Sequence, residues 1–164
     1  MDAVRIDHLA PDGIFATYRN VLIWSWRGPA TTLTVQRMRL QLLAHAKGHP
    51  EGGGVVTIIG RGVAIPPDEI RTAMVKARRE AACYAMRGSA ILYEGDGLRG
   101  SVVRGVVTGL MLLASDIYPQ AVFGDLDLAL VWVRTKLGPA APPEGPLAAA
   151  VAAVRAHPGF GGGA

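Results

Sequence analysis

The chain is short of several things, and each shortage narrows what it can be. It has one cysteine, Cys83, in 164 residues. No intramolecular disulfide can form, so the fold must hold without one. Cys83 lies among alanines in a helical pattern, where a buried, inert thiol is expected. Aromatic residues make up only 6% of the chain, so the core must be mainly aliphatic. Charged residues make up 18%, and no run of like charges forms a basic tail for nucleic acid. The longest apolar stretch, Val102 to Ala114, contains Arg104 and is too short to cross a bilayer. Membrane insertion is therefore not expected. The opening MDAVRIDHLAPDG lacks the apolar centre of a secretory signal, and a cytoplasmic location is expected.

What is present is ordinary for a globular domain. Half of the residues are apolar, and one domain is the natural expectation at this length. The net charge is +4 and the pI about 9.6. Fourteen arginines stand against three lysines. Arginine suits carboxylate and phosphate recognition, although a GC-rich genome accounts for the same excess.

The pattern along the chain alternates strands and helices. Residues 3–8 suit a short edge strand, and Pro11-Asp12-Gly13 a turn. Ile14 to Trp26 reads as one long strand or a bent pair. Thr31 or Thr32 is placed to cap a helix whose Val35, Met38, Leu42 and Ala46 share a face. VVTII, Val55 to Ile59, is a short apolar run of the kind found in interior strands. Pro66-Pro67-Asp68-Glu69 opens a second helix. Its apolar line is Ile70, Ala73, Met74, Ala77, Ala81 and Tyr84. SAILY, Ser89 to Tyr93, is the next strand, followed by a helix over about 98–115. Gln120 to Phe123 is a last short strand, and Asp125 caps a final core helix. After Gly138 proline, alanine and glycine dominate. Residues 1–138 are thus expected as a single domain and 139–164 as a mobile tail, with room for a short helix at 147–155. The fold class is α/β: a mostly parallel or mixed sheet of four to five strands with covering helices.

The order of these segments, with "VVTIIG…PPDEIR", "SAILYEGDGLRGSVVRGV" and "QAVFGDLDLALVWV", resembles the STAS or SpoIIAA-like domain. That is the fold of anti-sigma-factor antagonists and of the cytoplasmic domains of sulfate transporters. The likeness covers about residues 14–138 and is nearest to small stand-alone bacterial members. It implies a regulatory module that works through protein–protein interaction. Such antagonists carry a phosphorylatable Ser or Thr where the helix after the central strand begins. The matching stretch, Gly60 to Asp68, contains neither, so the phospho-switch is not carried over.

No catalytic constellation stands out. His8, His45, His49 and His157 are scattered, and Gly48 and Pro50 are expected to break the helix between His45 and His49. Ser25, Ser89, Ser101 and Ser115 lie outside any G-x-S-x-G elbow. Gly95-Asp96-Gly97-Leu98-Arg99-Gly100 is a literal G-x-G-x-x-G after a strand. Gly95, Gly97, Arg99 and Gly100 therefore form a candidate phosphate-binding turn. Asp96 opposes that reading, and a tight turn explains the glycines as well. Arg71, Lys76, Arg78 and Arg79 form a basic helix face, a grip for an acidic partner or a plain solvated surface. Trp132 falls off the core face of the last helix, as an interface anchor or a cover for the tail. In the helix over about 98–115 Ser101, Arg104, Gly105 and Thr108 align for close packing.

The chain is thus read as a non-enzymatic regulatory or scaffolding module. Its expected partner is another protein, a second copy included. Nucleic acid is not an expected partner, and no metal or cofactor is expected. The alternative is a small-molecule or nucleotide-binding domain that uses the Gly95–Gly100 turn.

Overall fold

Residues 13–26 fold as a hairpin rather than one strand. In the computed structural model, which describes residues 3–95, Gly105 and residues 117–158, β2 (Gly13–Tyr18) and β3 (Val21–Trp26) pair antiparallel. Arg19 and Asn20 make the turn, with Arg19 at a φ of 50°. The usual glycine of a tight hairpin is missing here, which hides the break in the sequence. Asn20 supplies the anchor instead. Its side-chain amide donates to Gly52 O at 2.7 Å and to Ala140 O at 3.0 Å.

This division raises the strand count among the described residues to six, above the four to five expected. β1 (Arg5–Ala10), β4 (Gly53–Ile59), β5 (Met86–Tyr93) and β6 (Gln120–Phe123) complete one mixed sheet in the order β1-β2-β3-β4-β5-β6. The first three strands are antiparallel and the last four parallel. β1 is an edge. It carries a register shift beside Asp7 and alternates exposed and half-buried residues, features that discourage further strand pairing.

Helices cover both faces. α1 (Thr32–Gly48) begins at the Thr31 capping box, and α2 (Asp68–Ala81) places Asp68 and Glu69 in its first turn. Both lie on the face formed by Phe15, Leu22, Trp24, Trp26 and Val55. Arg39 Nε donates to Glu80 Oε2 at 2.6 Å and ties the two helices together. α3 (Leu126–Leu137), capped by Asp125, covers the other face. β4 is buried on both faces, as an interior parallel strand must be.

Three details depart from the sequence reading. α2 stops at Ala81, so Tyr84 is exposed rather than in line with the core, and Cys83 is exposed rather than buried. The stretch after Gly138 carries α4 (Glu144–Arg155), which packs into the core through Leu147, Ala150, Val151 and Val154. Their helical spacing is easily overlooked among prolines and alanines. The helix expected at 98–115, with its small-residue line, lies outside the described residues apart from Gly105, which is helical and exposed.

Because Leu147 is fully buried, Leu147→Ala should cost about 2–5 kcal/mol of stability. Urea unfolding checks this. A loss below about 1 kcal/mol, within the range usual for a surface change, would show that α4 is not part of the cooperative core.

Candidate functional site

Two concave regions bring chemistry-bearing residues together. The first lies on the α1/α2 face. After β4 the chain leaves through Gly60 and runs along residues 61–67 before α2 begins. Val63 and Ile65 of this loop border a largely apolar cavity of about 210 Å³. Its inner wall includes Trp24, Trp26 and Met38. Trp24 Nε1 donates to Gln41 Oε1 at 2.7 Å, which fixes its ring. Gln41 Nε2 in turn donates to Asp7 Oδ2 at 2.7 Å, linking β1 to α1.

α2 divides the expected basic face. Arg71 and Arg78, two turns apart, line the cavity, whereas Lys76 and Arg79 are exposed. Arg71 pairs with Asp68 one turn before it. Arg78 Nη2 donates to Tyr118 O at 3.3 Å, and the guanidinium lies 5.0 Å from the Tyr118 ring centre. Trp132 stands on the opposite face of the sheet, 5.9 Å from the Phe123 ring and close over Gly88. It does not share a surface with Arg71 and Arg78.

The second region is a polar crevice of about 460 Å³ at the carboxyl ends of the parallel strands. Ligands in open α/β sheets commonly bind there. Arg27, Arg61 and Arg155 surround Glu94, with Gly60, Gly95 and Gly124 lining the floor. Arg27 Nη1 lies 3.7 Å from Glu94 Oε2, and Arg155 donates to Glu94 Oε1. Gly95, the first glycine of the candidate turn, thus borders this crevice. A Cβ there would overlap the Tyr93 ring, so close packing alone already requires glycine. Gly97, Arg99, Gly100 and Asp96 lie outside the described residues.

The candidate nucleophiles do not form a catalytic group. Ser25 and Ser89 are buried, at 0% and 3% exposure, and neither hydrogen-bonds a histidine. Ser101 and Ser115 lie outside the described residues. His45 and His49 are not kept apart as expected. α1 continues through Gly48, and their rings meet at 4.4 Å between centres. Among the described residues no group of three or more His, Cys, Asp or Glu could hold a metal ion. Among the same residues no helix is long and apolar enough to cross a membrane.

Sequence reasoning passed over Arg27, Glu94 and Arg155 in the crevice and Thr57 and Gln120 in the cavity, and it weighed Ser89 only as a nucleophile. A signal existed for most of them. Arg27 and Glu94 directly follow parallel strands, and Thr57 and Ser89 are polar residues within apolar ones. Arg155 had none, because its helix was read as tail.

No protein-family model matches the chain. No curated protein matches it in sequence. In structure it is similar to an anti-sigma factor antagonist from Mycobacterium paratuberculosis. The two are 18% identical with a TM-score of 0.47, over 77% of this chain and 99% of that one.

One electrostatic feature is testable by itself. Burial holds His45 well below the ordinary imidazole value, at about 4, with the His49 ring adding to the effect. His8 is lowered too, by burial and by Arg37. Between about pH 6.5 and about 4 the unfolded chain takes up the His45 proton and the folded chain does not. Stability should therefore fall as the pH falls through that window. Urea unfolding at pH 7.5 and 5.0 should show a smaller loss for His45→Leu than for the parent. Equal losses would contradict the assignment.

Proposed function

We propose that the chain is a non-enzymatic regulatory module that docks another protein in the cytoplasm through the β4–α2 loop and the start of α2. The observation that carries this reading is the loop itself. Val63-Ala64-Ile65-Pro66-Pro67 is apolar, and Ile65 is 38% exposed. Arg61 and Arg71 flank it. An exposed apolar patch with a polar rim is the usual mark of a protein-binding surface. The arginines favour a partner whose apolar side chain is bordered by carboxylates. With no Ser or Thr between Gly60 and Asp68, docking here is not gated by phosphorylation of this loop. A second copy of the chain is the alternative partner.

Capture from native lysate, followed by titration of the purified partner, tests the reading. Binding should weaken with salt, and Ile65→Asp and Arg71→Glu should each weaken it tenfold or more with unchanged melting. Trp132→Ala, on the other face, should bind as the parent does. Parent-like binding by both loop variants would overturn the proposal.

The crevice supports a second reading, an anionic small molecule held by Arg27, Arg61 and Arg155. Glu94 opposes it by occupying the centre. Saturable ADP binding that Arg155→Ala weakens would favour this reading over the first. No response to ADP would count against it.

A further inference from the structure

The α1/α2 cavity contains polar groups that the fold does not use. Thr57 and Ser89 are 8% and 3% exposed, and both line it. Neither side chain hydrogen-bonds any described residue. Neither hydroxyl is sealed off, so both open onto the cavity and can bond what enters it. The strand register places these groups together. Ser89 is the cross-strand partner of Gln120 on one side and of Val55 on the other, and Thr57 lies two residues beyond Val55. The three polar side chains form a diagonal band across the wall of an otherwise apolar space.

Arg78 completes the band. Its Nε is buried and unpartnered, and the side chain makes no ion pair with any described residue. The Tyr118 ring and carbonyl hold the guanidinium in place but leave its charge uncompensated. Beside Thr57 the cavity wall continues into Trp24, its cross-strand partner, and Trp26 and Met38 also line it. These side chains present mainly apolar surface, and the Trp24 indole N–H is already bonded to Gln41.

We propose that this cavity is a binding site for a small carboxylic acid with a ring-sized apolar body. The body packs against Trp24, Trp26 and Met38. The carboxylate accepts hydrogen bonds from the Arg78 guanidinium and from the Ser89 and Thr57 hydroxyls. Size supports the class: an apolar cavity of about 150 Å³ takes benzene, and this one is about 210 Å³. Charge supports it too. One guanidinium matches one carboxylate, whereas a phosphate dianion would leave a buried charge unmatched. This site goes beyond the protein-docking reading and does not depend on it.

The test uses the full chain alone, so its failure leaves partner docking untouched. 3-Phenylpropionate and 4-methylpentanoate are the probes, with 3-phenylpropan-1-ol as the uncharged control. Calorimetry and the fluorescence of Trp24 and Trp26 report binding. At least one acid should bind saturably. Arg78→Met should weaken acid binding tenfold or more and leave the alcohol nearly unchanged. Ser89→Ala should weaken acid binding about threefold or more, and it decides the matter if Arg78→Met does not fold. Absence of saturable binding by both acids would overturn the proposal. So would parent-like acid binding by a folded Arg78→Met variant or, failing that, by Ser89→Ala.

Discussion

At the start of β4 both helical layers come close to the strand backbone. Gly53 and Gly54 point to opposite faces of the sheet. A Cβ on Gly54 would stand 3.1 Å from Val133 and 3.2 Å from Leu137 of α3. A Cβ on Gly53 would stand 2.9 Å from Met86 Sδ and 3.2 Å from His45 of α1. Without side chains at these positions both layers settle directly onto the backbone. The unsatisfied His45 ring and the Asn20 anchor lie beside this point. The central parallel strands, the hairpin turn and the seating of α1 and α3 all depend on that close approach.

The two faces are then used differently. The α3/α4 face is closed by continuous aliphatic packing, with Ile23, Val56, Leu130, Leu147 and Val151 at 2% exposure or less. Ser25, whose hydroxyl lacks a partner there, is wholly buried. The α1/α2 face is less uniform. It contains both cavity-lining tryptophans, a band of hydroxyl and amide groups, and an arginine whose charge nothing described balances. A face that served stability alone would gain by replacing those groups with aliphatic ones. Their presence on one face, beside the apolar β4–α2 loop, is the physical reason to place recognition there.

Much of the fold was legible in the sequence because its signals were periodic. Val35, Met38, Leu42 and Ala46 gave α1, and Asp125 with Leu130, Val133 and Leu137 gave α3. What escaped had no periodic signal or a competing one. The Arg19-Asn20 turn contains no glycine, so the hairpin read as one long strand or a bent pair. α4 was read only as room for a short helix in a mobile tail, because its alanine-rich composition hid the face that enters the core. Tyr84 continued the α2 line on paper, although the helix had already ended. The site was less legible still. Arg71 and Arg78 were singled out with Arg79 as one basic face, but the helical turn sends the first two toward the cavity and the third to solvent. Thr57, Ser89 and Gln120 become a group only through the register of three strands, which no local pattern contains.

The central claim is that recognition belongs to the α1/α2 face and structure to the α3/α4 face. Hydrogen–deuterium exchange of the chain, free and bound to its captured protein partner, tests that division directly. The account predicts added protection across residues 60–78 and unchanged exchange across residues 126–155. Added protection confined to residues 126–155, or to the β1 edge, would contradict it.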